Sequence, residues 1–181
     1  MFEKVKSMSA PELQISQWFN TKTPPTLAGL RGKVVILEAF QMLCPGCVMH
    51  GLPLAQRVRS AFSESAVEVI GLHTVFEHHA AMTPVSLEAF LHEYRITFPV
   101  GVDAAGDGAS PKTMTAFQMR GTPSMLLIDK FGELRAHHFG EVSELLLGAE
   151  IATLIKEQTP ETEALELAPL VGQTCSTEGC R

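Results

Sequence analysis

Apolar and polar positions along this chain alternate between β-type runs and longer helical stripes. The run 33–40 is apolar at nearly every position except Glu38. That pattern predicts a parallel strand covered on both faces. From 45 to 62, Val48, Leu52, Ala55, Val58, Ala61 and Phe62 recur at helical spacing and predict a helix with one buried stripe. Pro53 inside it predicts a kink, because its ring removes a backbone hydrogen bond. A second strand is predicted at 67–75, then a loop carrying His78 and His79. A helix at 84–94 follows, with Leu87, Phe90 and Leu91 inward, and then a short strand at 98–102. The Gly-rich segment 103–111 reads as a loop and 113–119 as a short helix. Pro123 opens another apolar strand, Lys130-Phe131-Gly132-Glu133 turns the chain, and 134–139 returns as its antiparallel partner. The segment 143–158 closes as a helix with Ser143 as N-cap and Leu146, Ile151, Leu154 and Ile155 apolar. Upstream, 13–19 alternates and predicts a short edge strand, while residues 1–12 are polar and order only where they touch the domain. Strand, helix, strand, helix, strand, helix, hairpin, helix is an α/β layout: parallel strands plus an antiparallel pair.

Composition narrows the class. The chain has 181 residues, 45% hydrophobic and 19% charged, enough for one domain with a full core. We expect that domain at 1–158, followed by an acidic, flexible tail at 159–181. The formal net charge of −6 and the lack of a long Lys/Arg cluster argue against a nucleic-acid surface. No apolar run approaches the roughly 20 residues of a membrane-spanning helix. The first residues lack the apolar core of a signal peptide, so the sequence predicts a cytoplasmic protein, or a periplasmic one if a leader has been removed. Four cysteines in a chain of this size point to catalysis or metal rather than to a disulfide scaffold.

Two of them form Cys44-Pro45-Gly46-Cys47, set between the first long strand and the first long helix. Residues three apart share one helix face, so the two sulfurs can meet. A helix N-terminus, with its unpaired N–H groups, favours a thiolate there. Pro45 suits the first helical position, where a missing N–H is not felt. The same spacing serves half of a zinc site, but the strand-to-helix context favours redox chemistry. Glu38, six residues upstream, reads either as a surface carboxylate or as a buried acid under the site. Burial would raise its pKa and let it exchange a proton with Cys47.

Together with Gly121-Thr122-Pro123 opening a later strand, these features resemble the thioredoxin superfamily, and within it the redoxin, TlpA-like branch of thiol-disulfide oxidoreductases. The resemblance runs from about residue 13 to 157. It implies a thioredoxin-like α/β fold, a central mixed β-sheet with helices on both faces. It implies that Cys44 is the nucleophile that attacks a disulfide, that Cys47 resolves the mixed disulfide, and that Glu38 is the buried acid. Pro123 would be a cis-proline beside the dithiol, turning Thr122 towards the substrate, with Leu43, Pro45 and Gly46 on the substrate-facing surface. No cofactor and no metal are implied. The partners would be a disulfide-containing protein or small molecule and an upstream electron donor.

The sequence departs from that pattern in three places. Leu43 stands where Trp is common, Pro53 falls six rather than five residues after the second cysteine, and Pro45-Gly46 inverts the familiar order. With no His between the cysteines, a reductase is favoured over a strong oxidant. Two alternatives stay open. A peroxiredoxin-like thiol peroxidase would share the fold, but Leu37 and Gln41 replace the Pro and Thr/Ser of its motif. A non-enzymatic redox sensor or binding module would cycle its dithiol without turnover. In the tail, Cys175 and Cys180 are either idle thiols or an auxiliary redox pair within reach of the first. The histidines, including His50 and the pairs His78-His79 and His137-His138, read mainly as surface or structural groups.

Overall fold

In the computed structural model, residues 8–108 and 110–157 are described. The 159–181 tail, with Cys175 and Cys180, lies outside the described residues. Seven strands form one sheet: β1 (Met8–Ser9), β2 (Ile15–Phe19), β3 (Val34–Phe40), β4 (Val67–His73), β5 (Val100–Asp103), β6 (Ser124–Ile128) and β7 (Glu133–Phe139). Their order is β1-β7-β6-β3-β4-β5-β2. β3, β4 and β5 run parallel, and the pairs β3–β6, β6–β7, β1–β7 and β2–β5 are antiparallel. β3 is therefore interior, and all seven of its residues are buried. This is the mixed α/β sheet that the strand pattern predicts.

The helices are α1 (Leu52–Ala61), α2 (Pro84–Glu93), α3 (Lys112–Ala116) and α4 (Glu144–Lys156). Alternation along β3 divides the core between two faces. Val34, Ile36 and Phe40 pack with Leu52 of α1, Leu87 of α2 and Leu147 of α4. Val35, Leu37 and Ala39 pack on the other side with Met114 of α3 and Phe117. In α4 the buried positions are Leu147, Ile151 and Leu154, while Leu146 is half-buried.

One local expectation gains detail and one changes. Within 1–12, Met8–Ser9 order as β1 where they touch the domain, paired with the outer edge of β7 at Met8↔Leu134. Pro53 does not kink the middle of a helix. A π-helical turn, Cys47–Gly51, precedes α1 and leaves Pro53 in the first turn of α1. There the Leu52 N–H reaches back five residues to the Cys47 carbonyl. The wider turn gives the proline ring room where an α-turn carbonyl would collide with it.

Candidate active site

β3 ends at Phe40 and the chain turns over Gln41–Leu43 before entering the helical segment. The Cys44 N–H donates to the Gln41 carbonyl at 3.2 Å. The Gln41 side chain accepts from the Phe76 N–H and donates to Glu77, both at 3.3 Å, tying this turn to the loop after β4. Cys44 is half-buried and Cys47 fully buried, and both are free thiols. The Cys47 N–H donates to Cys44 Sγ at 3.3 Å. Cys44 Sγ lies 3.6 Å from the Thr122 carbonyl. The Thr122–Pro123 peptide bond is cis. This bond closes the far side of the site: a Cβ at Gly46 would lie 3.3 Å from Pro123 Cδ.

Beneath this layer is Glu38. It pairs in register with Gly71 on β4 and Met125 on β6 and has no exposed surface. Neither carboxylate oxygen has a hydrogen-bond partner among the described residues. Burial first, and then the negative charge that Cys44 can carry, hold its carboxyl pKa well above the usual range. Burial, aided by the hydrogen bond with Cys44, pushes the Cys47 thiol up to about 12. Two groups that hold protons tightly therefore sit below one sulfur that is partly open to solvent.

Gly51 makes room for this arrangement. Its backbone is ordinary right-handed helix, so conformational freedom does not explain it. Space does: a Cβ there would lie 2.1 Å from Glu38 Oε1 and 3.1 Å from Pro123 Cβ. A glycine inside a helical stripe costs about 1 kcal/mol against alanine, so it is a signal in the sequence that was open to reading.

Leu43, next to Cys44 in the chain, is 57% exposed, and Met49 on the helical segment is 67% exposed. Pro45 is exposed, and Gly46 and Thr122 are half-buried. Phe139 of β7 lies over Gly121, where a Cβ would come within 3.2 Å of its ring. The Arg120 guanidinium sits 5.3 Å from the centre of that ring. Phe139 and Arg120 thus join the surface beside Thr122. Their positions depend on the β6–β7 pairing, Ser124↔Phe139, and no local motif marks them. His50 pairs with Glu141 at 3.6 Å on the outer side of the helical segment. Among the described residues, no group of three or more His, Cys, Asp or Glu side chains is arranged to hold a metal.

The profile of the AhpC/TSA family matches residues 4–137. The chain belongs to the AhpC/TSA family. Its relatives include proteins named as thiol-disulfide oxidoreductases or isomerases. A crystal structure of a thioredoxin-like superfamily protein is 76% identical, with a TM-score of 0.83, over 84% of this chain and 99% of the other. A thiol-disulfide isomerase from Corynebacterium glutamicum is 46% identical, with a TM-score of 0.78, over 82% of this chain and 98% of that one. The thiol-disulfide oxidoreductase ResA of Halalkalibacterium halodurans is 26% identical over 73% of this chain and 68% of its own length. Protein DipZ of Mycobacterium bovis is 28% identical over 84% of this chain, which spans about a fifth (21%) of DipZ. No helix among the described residues is long and apolar enough to cross a membrane.

Proposed function

We propose that this AhpC/TSA-family protein is a dithiol disulfide reductase. The observation that carries the reading is the placement of the two sulfurs. Cys44 is half-buried, receives the Cys47 N–H and lies beside the cis Thr122–Pro123 bond, while Cys47 sits buried behind it. Cys44, as thiolate, attacks one sulfur of a substrate disulfide and forms a mixed disulfide, and the other substrate sulfur leaves as a thiolate that takes a proton from water. Cys47 then gives its proton to the Glu38 carboxylate and attacks Cys44 Sγ. The second substrate thiol departs and the Cys44–Cys47 disulfide remains. Two electrons have passed to the substrate, and a dithiol donor of lower potential restores the protein.

The substrate chain pairs with the backbone of Thr122 as an added strand. Leu43, Pro45 and Gly46 flank the reacting sulfur and supply an apolar rim. A substrate disulfide carried on a protein or a small molecule fits this opening. The reductive direction rests on the uncharged Pro45-Gly46 pair, which adds no cation to stabilise the Cys44 thiolate. A low potential suits a reducing cytoplasm, and suits an exported protein equally where a donor keeps it reduced.

A thiol peroxidase is the second reading, favoured by the family match. Against it stand Leu37, an apolar side chain packed in the core, and Gln41, whose amide is already engaged with Phe76 and Glu77. The deciding experiment equilibrates the protein in graded thiol/disulfide buffers, alkylates free thiols and reads each cysteine by peptide mass spectrometry. Joint two-electron titration of Cys44 and Cys47 below about −220 mV is the expected result, and a midpoint above about −180 mV would reverse the direction. No coupled titration, with consumption of hydrogen peroxide by Cys44 alone, would favour the peroxidase. The same spectra show whether Cys175 and Cys180 form a disulfide linked to the first pair.

A further inference from the structure

Glu38 forms part of the wall of a second opening, separate from the cysteine face, and its carboxylate oxygens lie just under that wall with no area open to water. A cavity of about 180 Å³ runs along Glu38, Gly51, Leu54 and Met125 to a rim formed by α1 and the β7–α4 connection. Its lining includes neither cysteine, nor Leu43, Pro45 or Thr122. At about 30 Å³ per water it has room for several. The rim carries a His–carboxylate contact and an Arg–carboxylate ion pair. His50 Nδ1 lies 3.6 Å from Glu141 Oε1, and Arg57 donates to Glu144 Oε1 at 2.7 Å. The Gly140 N–H donates to the Pro123 carbonyl at 2.9 Å, which fixes the rim to the cis-proline.

The chemistry requires such an opening. Once Cys44 is joined to a substrate, that substrate covers the cysteine face. Glu38 must be a carboxylate to accept the Cys47 proton, yet the buried, unpartnered acid favours its protonated form. A proton has to leave Glu38 before resolution and return when the protein is reduced again. The charged and titratable groups facing it are Cys44 and Cys47 on the active-site turn, His50 and Arg57 from the helical segment, and Glu141 and Glu144 from the β7–α4 side. β4 and β6 present Gly71 and Met125 to it and add no charge.

We propose that Glu38 exchanges its proton with bulk solvent through this cavity, by way of the His50–Glu141 pair at its mouth, and not across the cysteine face. The inference rests on the reading of Glu38 as the acid–base partner of Cys47. His50 acts through Glu38 and is a positioning residue of the proton path. Its imidazole can accept a proton on one nitrogen and release one from the other, and the Glu141 carboxylate lies 3.6 Å from Nδ1. The His50 side chain is about half exposed and that of Glu141 largely so, so the pair contributes little to stability and its loss leaves the fold intact.

The test is a single turnover of the reduced protein with an aromatic disulfide, 5,5′-dithiobis(2-nitrobenzoate), in dilute buffer across a pH range. Release of the first aromatic thiolate reports attack by Cys44, and release of the second reports resolution by Cys47. In His50→Gln and Glu141→Gln the first phase should keep its native rate and the second should slow roughly tenfold. Added imidazole should restore the second phase, because a small base entering the mouth replaces the missing relay. The Cys44–Cys47 potential should stay native in both variants. Native second-phase rates in dilute buffer would overturn the proposal. So would slowing that imidazole does not relieve, or slowing that tracks a shifted potential, which would mark a plain electrostatic effect. Glu38→Gln separates the two layers. It should slow the second phase with no rescue by imidazole, and if it leaves that phase unchanged the acid–base reading of Glu38 itself fails.

Discussion

Gly51→Ala offers a test of the buried layer whose sign depends on one neighbour. On backbone grounds the substitution should help: Gly51 has helical dihedrals, and alanine is favoured over glycine in a helix by about 1 kcal/mol. Packing opposes it. The new methyl would lie 2.1 Å from Glu38 Oε1, 3.0 Å from Glu38 Cδ and 3.1 Å from Pro123 Cβ. Two of these three contacts belong to the carboxylate, which would have to shift towards the cavity along Gly51 and Leu54, and the third is to the ring of Pro123. Inserting a methylene into such a core costs about 1–3 kcal/mol. The net expectation is destabilisation of up to about 2 kcal/mol, the difference between those terms. In a Glu38→Ala background both carboxylate contacts vanish and only the tight Pro123 contact persists. There Gly51→Ala should be neutral or slightly stabilising, giving a coupling energy of about 1–3 kcal/mol in the double-mutant cycle. Urea unfolding of the four proteins measures it directly. An additive cycle, with the same cost of Gly51→Ala in both backgrounds, would refute the claim that this glycine exists to admit the carboxylate.

The remaining predictions concern protons. At pH 8, with its thiol pushed up to about 12, Cys47 is about one part in ten thousand ionised. Iodoacetamide should therefore alkylate Cys44 in the native protein and reach Cys47 only on unfolding, as peptide mapping will show. Glu38 has a folded-state pKa above its unfolded value, so its contribution to stability is full at low pH and is lost as pH rises through the folded value. Denaturation midpoints measured upward from about pH 4 should fall more for the native protein than for Glu38→Gln. His73, buried with both ring nitrogens lacking a hydrogen-bond partner among the described residues, behaves oppositely, because burial lowers its pKa to about 4. Its contribution is present above about pH 6.5 and should be lost towards pH 4, amounting to about 3 kcal/mol. His73→Phe should flatten that part of the acid limb, and an unchanged limb would contradict the burial argument.

Much of the molecule was legible in one dimension. The apolar run 34–40 announced a strand covered on both faces, because only an interior strand has use for apolar residues at both parities. The helical stripe after Cys47, the turn at 130–133 and the helix beginning at Pro84 were likewise readable from period and turn chemistry. The cysteine pair and Glu38 were visible as chemistry, since thiols three apart and an acid in an apolar run are rare enough to notice.

Tertiary structure decided the rest. Whether Glu38 faced solvent or core depended on β3 lying between β4 and β6 with α1 above it, a matter of sheet order that no window of sequence contains. Gly51 gained its meaning only when the helical segment was laid over that carboxylate. Phe139 and Arg120 came to flank the site through the register of a hairpin, and Glu141 reached His50 from about 90 residues away along the chain. His73, one histidine among seven in the sequence, became a buried group lacking a hydrogen-bond partner among the described residues only when β4 was covered. The physical reason is common to all of these. Periodicity and capping report interactions between neighbours along the chain, and the sequence by itself determined those. Which side chain loses water, and which charge it then meets, is set by contacts between segments remote in sequence, and those exist only after the sheet has chosen its order and register.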